Sequence, residues 1–376
     1  MGSETLGYSM VRQRARLLLF ACGLVLWSQS ACSMAPSTAP APGTFGYVGS
    51  METPRCHHTA TLLADGQVLV AGGDDDSLTA IASAELYDPS VRRFSTTGDM
   101  SAPRDGQTAT LLQDGRVLVV GGADLSGNPV ATAELYDPTT GTFSPTGSMA
   151  VPRVDHSAIL LRDGGVLITG GRDALGRATA SAEVYDPQDG RFTTVSSMVF
   201  PRMGHTTSLL PDGRVLVAGG NQSASDADEI YDLSTGKFSA VASLPQARQA
   251  HTAAVLLDGR VLLVGGYGDT TASLASAEIY DPTTGKFAPT GDMKTARQEH
   301  VMARLPSGNV LVAGGFDLTN DQALSSAELY DARTGSFSST GSMGTAREFA
   351  TATALSDGTV LVAGGCGQSS AEIYAP

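Results

Sequence analysis

The stretch from Arg104 to Met149, RDGQTATLLQDGRVLVVGGADLSGNPVATAELYDPTTGTFSPTGSM, decides how the rest of the chain is read. Asp114-Gly115 separates two short apolar runs, and Asp-Gly suits a tight hairpin because both residues tolerate positive φ better than a branched residue does. The second run, Val117 to Val120, is apolar without alternation, as expected of a strand covered on both faces. Gly121-Gly122 ends it, a variable loop follows, and a third strand carries Glu134 and Tyr136. The segment Asp137 to Gly141 then turns the chain through a self-capping Asp, a Pro with fixed φ and a Gly at the strained end. Phe143 opens a fourth strand that Met149 closes. The stretch is therefore a unit of four short strands.

The unit recurs. Gly-Gly pairs begin at Gly72, Gly121, Gly170, Gly219, Gly265, Gly314 and Gly364, spaced 49, 49, 49, 46, 49 and 50 residues apart. Tyr87, Tyr136, Tyr185, Tyr231, Tyr280, Tyr330 and Tyr374 repeat in step, and Phe94 through Phe337 mark the fourth strands. This pattern resembles the kelch repeat over residues 43–376, with Phe where Trp is commoner on the outer strand. The resemblance implies a β-propeller of four-stranded blades around a central channel. Six units, led by Arg55 to Arg297, are complete; the one led by Arg347 stops after its third strand. Gly43-Thr44-Phe45 through Met51 repeats the missing Phe-to-Met spacing. The expected fold is all-β: seven blades of four antiparallel strands, the last closed by the N-terminal strand.

Ahead of the repeats, Arg12, Arg14 and Arg16 precede an apolar run from Leu17 to Trp27 and a small-residue exit, which describes a secretory signal peptide over residues 1–31. Cys32 sits where a lipobox cysteine would be acylated, although Gln29 replaces the usual Leu, so lipidation and plain secretion both stay open. Residues 32–42 read as a Pro/Ala tether. Export is expected by either route, to an outer-membrane or cell-surface position as a lipoprotein, or to the periplasm or medium. The net charge of -14 argues against a nucleic-acid partner. Membrane contact is expected only through a lipid on Cys32, and the mature protein is expected to be a monomer.

In the inferred fold Cys56 and Cys366 lie on one face of adjacent blades, so a disulfide sealing the ring and two separate thiols are both open. Arg55, Arg104, Arg153, Arg202, Arg248, Arg297 and Arg347 each enter an inner strand. They read either as an anion-recognising rim or as partners of the seven repeated glutamates Glu85, Glu134, Glu183, Glu229, Glu278, Glu328 and Glu372. His58, His156, His205, His251 and His300 recur in five of the seven blades, with Gln107 and Ala350 at that position in the other two; they are too far apart in the ring for one metal site, and His57 alone breaks that pattern. Asp74-Asp75-Asp76 reads as a solvated or loosely cation-attracting loop rim. Among the loops after the glycines, Arg172, Asn221, Tyr267 and Phe316 form an asymmetric candidate patch for a ligand.

Copper radical oxidases of the galactose oxidase type share a similar propeller and bind copper through tyrosine and histidine, with a tyrosine–cysteine crosslink. This chain has no Tyr-His dipeptide, so the distant resemblance is expected to stop short of that copper site, and no cofactor, metal or catalytic residue is assigned. The function expected is an exported, non-enzymatic recognition or scaffold propeller binding a protein, peptide or carbohydrate at the channel mouth. The alternative is an extracellular enzyme acting there on carbohydrate or another small substrate. Catalysis would show itself as non-repeating polar residues converging with shifted pKa values.

Overall fold

The computed structural model describes residues 40–220, 227–268 and 272–376. The segments expected to be a signal peptide (residues 1–31) and, for the most part, a tether (32–42), together with Cys32 and Asn221, lie outside them. Among the described residues there are seven four-stranded antiparallel sheets, each meandering outward from the channel. In the first blade the strands are Thr59–Leu62, Val68–Ala71, Ala84–Asp88 and Arg93–Thr96. The seventh contains Thr351–Ala354, Val360–Ala363 and Ser370–Ala375, with Thr44–Ser50 pairing antiparallel to the last of these. The ring is thus closed by the N-terminal strand, as its Phe-to-Met spacing predicts.

The second strand of every blade is buried along its whole length, which explains why its residues do not alternate. Apolar clusters lie between blades. Leu63, Leu69, Ala71 and Met100 of the first blade pack on Val117, Val119 and Tyr136 of the second, and the cluster spanning the seventh and first blades joins Leu361 and Ile373 to Val68, Val70 and Tyr87. The repeated Tyr and Phe pair across the outer strands with ring centroids near 5 Å, as for Tyr136 and Phe143 at 4.8 Å. Tyr136 Oη also meets Thr97 Oγ1 of the preceding blade at 2.8 Å. The tyrosine–phenylalanine–methionine stripe therefore welds neighbouring sheets together.

The Asp-Gly hairpins differ in one respect from expectation: only the glycine takes positive φ, as at Gly66 (89°). Asp65 instead uses its side chain, accepting the Gln67 N–H at 3.0 Å. The second glycine of each Gly-Gly pair is required by close approach. A Cβ on Gly73 would stand 2.4 Å from the Cys56 carbonyl oxygen.

Candidate active site at the channel mouth

Each repeated arginine is followed two positions later by a residue with φ between 51° and 62°: His57, Gly106, Asp155, Gly204, Ala250, Glu299 and Phe349. These seven residues form a girdle. The N–H of Gly106 donates to His57 O, Asp155 to Gly106, Gly204 to Asp155, Ala250 to Gly204, Glu299 to Ala250 and Phe349 to Glu299, at 3.1–3.4 Å. The His57 and Phe349 rings close the circuit, with centroids 4.1 Å apart. Holding five non-glycine residues in left-handed backbone costs on the order of 1 kcal/mol or more each, and such strain concentrates at functional sites. It is sustained here by the inter-blade hydrogen bonds.

The girdle brings unlike side chains from several blades around the channel axis. His57 Nδ1 lies 2.9 Å from Oδ1 of buried Asp74, whose backbone is in turn paired with Cys56 through two 2.9 Å hydrogen bonds. Asp74 thereby holds Nδ1 and leaves Nε2 as the other ring nitrogen. Burial opposes charge on His57, but the Asp74 hydrogen bond and the fields of Asp74, Asp105 and Glu299 outweigh it and raise its pKa. Glu299 is pushed up to about 8, first by burial and then by Asp155 and Glu348, against the opposing field of His57. Glu348 rises to about 7, chiefly through burial with Asp321 adding to it. Groups in the first, third, sixth and seventh blades thus act on one another across the channel.

The sequence-assigned residues distribute unevenly. All seven repeated arginines are fully buried, so they do not form the rim. Arg153 is typical: it donates to Gly170 O, Ser181 O, Ser181 Oγ and Glu183 Oε1 at 2.7–3.0 Å. Every one of the seven bonds its glutamate, and six of the glutamates, all but Glu278, also cap backbone N–H groups next to the preceding blade's outer strand, as Glu134 does for Ser101. The five periodic histidines are buried as well, with Nε2 at a threonine hydroxyl. Asp74 is not part of a solvated run; it supports His57. Arg172 lies 3.6 Å from Asp155, and Tyr267 is part-buried with its hydroxyl donating to Gln249 Oε1 at 3.2 Å. Phe316 is partly exposed, and its carbonyl accepts from Ser273 Oγ of the fifth blade at 3.1 Å. Cys56 and Cys366 form a disulfide with Cα atoms 4.5 Å apart.

Donor atoms of Cys56, His57 and Asp74 lie within 4.8 Å of one another. They do not fit the copper centre that the galactose oxidase resemblance brings to mind. The Cys56 sulfur is held in the disulfide, and Tyr267, whose pKa burial pushes up to about 12, donates its proton to Gln249. One imidazole and one carboxylate remain.

The kelch motif family model matches residues 107–150, 156–199 and 250–294. No curated protein matches in sequence. Among solved structures, a fungal alcohol oxidase of the AA5 family, in complex with copper, aligns with a TM-score of 0.72 at 20% identity, covering 89% of this chain and 77% of its own. YjhT aligns with a TM-score of 0.61 at 14% identity, covering 77% of this chain and 98% of its own. The expectation of a non-enzymatic scaffold is corrected here. An alcohol oxidase shares this fold, and the channel mouth carries a His57–Asp74 pair, its metal-donor group and unlike acids in place of a purely repeating surface. The chain is a kelch-repeat, seven-bladed β-propeller similar in fold to the propellers of AA5-family, galactose oxidase-like proteins.

Proposed function

We propose that this protein is an enzyme acting on a small hydroxylated substrate, carbohydrate foremost, by acid–base chemistry at the channel mouth. The observation that carries this reading is the girdle. On a scaffold whose other positions repeat blade after blade, one strained position presents His57, Asp155 and Glu299, with Glu348 adjacent in sequence to Phe349. A carboxylic acid still protonated near neutrality can give its proton to a leaving oxygen, and Glu299 has that character. His57, oriented by Asp74, offers Nε2 to accept one. The protons of His57, Glu299 and Glu348 belong to the cluster, because each group feels the others' charge. Tyr267 and Phe316, from the neighbouring fifth and sixth blades, supply ring surface for a sugar, and Arg172 adds a donor near Asp155. The fold shared with an alcohol oxidase agrees with a hydroxyl-bearing substrate. Export, supported by the Leu17–Trp27 run, would place such a substrate outside the cell.

The test is turnover of a panel of oligosaccharides and aryl glycosides by the mature protein, compared with Glu299→Gln and His57→Asn. Bond cleavage that both substitutions slow by about 100-fold or more is expected, the usual contribution of a positioned acid or base. Absence of turnover across the panel, or full activity in Glu299→Gln, would refute the assignment.

A further inference from the structure

We propose that reduction of the Cys56–Cys366 disulfide converts this corner of the channel mouth into a zinc site whose four donors are Cys56 Sγ, Cys366 Sγ, a His57 ring nitrogen and an Asp74 carboxylate oxygen. The inference goes beyond the catalytic reading and does not depend on it. Three of these donors already stand within 4.8 Å of one another, and the fourth is bonded to the first. Ligand atoms about 2.0–2.3 Å from a tetrahedral zinc stand roughly 3–4 Å apart, so the donors need little rearrangement. His57 Nδ1 and Asp74 Oδ1, at 2.9 Å, already approximate one edge. Two thiolates, an imidazole and a carboxylate form a donor set that suits Zn²⁺.

The donors stay in place when the sulfur–sulfur bond opens, because backbone hydrogen bonds hold them independently. Cys56 and Asp74 exchange two 2.9 Å bonds, Gly365 N–H donates to Arg55 O at 3.0 Å, and Cys366 N–H donates to Glu348 O at 3.1 Å. Ring closure likewise does not depend on the disulfide, since Thr44–Ser50 is zipped to Ser370–Ala375. Cys366 is partly exposed and precedes exposed Gly367, which gives a reductant and an ion a way in. The steps balance. A phosphine reductant takes the disulfide and one water to two thiols and phosphine oxide, and Zn²⁺ then binds both sulfurs as thiolates with release of two protons.

Cobalt(II) serves as the probe because thiolate ligation gives an intense near-ultraviolet charge-transfer band and tetrahedral geometry an intense visible one. The mature protein, reduced with a phosphine, is titrated with Co²⁺ and then with Zn²⁺ while far-ultraviolet circular dichroism monitors folding. The expected result is both bands at one cobalt per chain, bleached by Zn²⁺ and absent from the oxidised protein. Cys366→Ser and, separately, Asp74→Asn should weaken binding by more than about 100-fold, since even outer-shell changes cost roughly 10–100-fold. A folded, reduced protein without the charge-transfer band, or bands unchanged in Cys366→Ser, would overturn the proposal. Because no substrate is present, this outcome stands apart from the search for turnover.

Discussion

His58, His156, His205, His251 and His300 should make the propeller acid-labile in a way that can be counted. Each ring is buried, and desolvation together with the adjacent arginine lowers its pKa from 6.5, to about 3 for four of them and well below 6.5 for His251. A depressed pKa means that the unfolded chain takes up protons the folded one refuses. Stability is therefore complete above pH 6.5 and is lost as pH falls toward 3. At pH 5 each histidine costs about 2 kcal/mol, a figure that requires only that the folded ring remain neutral there, so the five together cost about 10 kcal/mol. Glu299 and Glu348 act in the opposite sense, because their raised pKa values favour the folded state as pH falls from 8 toward 4.5; they return about 4 kcal/mol between pH 6.5 and 5. Below pH 5 that return saturates while the histidine loss continues at about 7 kcal/mol per pH unit. Against a total stability of about 5–15 kcal/mol, cooperative unfolding is expected between about pH 4 and 5. The second blade supplies the control, since Gln107 takes the histidine position and donates to Ala71 O at 2.8 Å. His156→Gln should lower the acid midpoint by about 0.4–0.6 pH unit and remove about one proton from the uptake on unfolding. Near-ultraviolet circular dichroism of the tyrosines with parallel potentiometry measures both quantities. Retention of native signal at pH 3.5, or uptake of one proton or fewer across the transition, would refute the reasoning.

Three further outcomes follow from the blade architecture. Arg153→Ala strands Glu183 in a buried site and removes five hydrogen bonds, so chemical denaturation should show a loss of about 3–5 kcal/mol. Gly73→Ala should lower the melting temperature far more than Gly66→Ala, although both glycines have φ near 90°. The first would drive a Cβ to 2.4 Å from a carbonyl oxygen, whereas nothing lies within 4 Å of the second. Deleting residues 43–51 strips the partner from Ser370–Ala375 and uncovers an edge, and size-exclusion chromatography should show a shift from a single species to aggregate.

The blade count, the ring closure and the interior strands were legible because packing repeats with the sequence. Tyr136, Phe143 and Met149 have counterparts in blade after blade, and a stripe of that regularity has one structural meaning. The arginine–glutamate pairing was visible as a one-for-one recurrence, but sequence alone could not choose between a buried pair and an open rim. Fourfold bonding of Arg153 inside the blade decides it. The girdle was harder to see because its members share a backbone conformation and no side-chain chemistry. A signal existed all the same: between a repeating arginine and a commonly repeating histidine, one position reads His, Gly, Asp, Gly, Ala, Glu, Phe around the ring. Only His57 stands out when units are inspected singly. Glu299 lies 242 positions along the chain from His57, and their proximity follows from ring closure. Asp74 was hidden inside an acidic run whose first member alone turns inward.

The central claim is that the channel mouth keeps a carboxylic acid protonated near neutral pH beside an oriented base. Infrared difference spectroscopy of wild type against Glu299→Gln, recorded from pH 5 to pH 9 with isotopic exchange to identify the carboxyl stretch, tests it directly. The account predicts a protonated-carboxyl band for Glu299 that disappears with a midpoint near pH 8. A carboxylate already fully ionised at pH 6, with a midpoint near the ordinary 4.5, would contradict it.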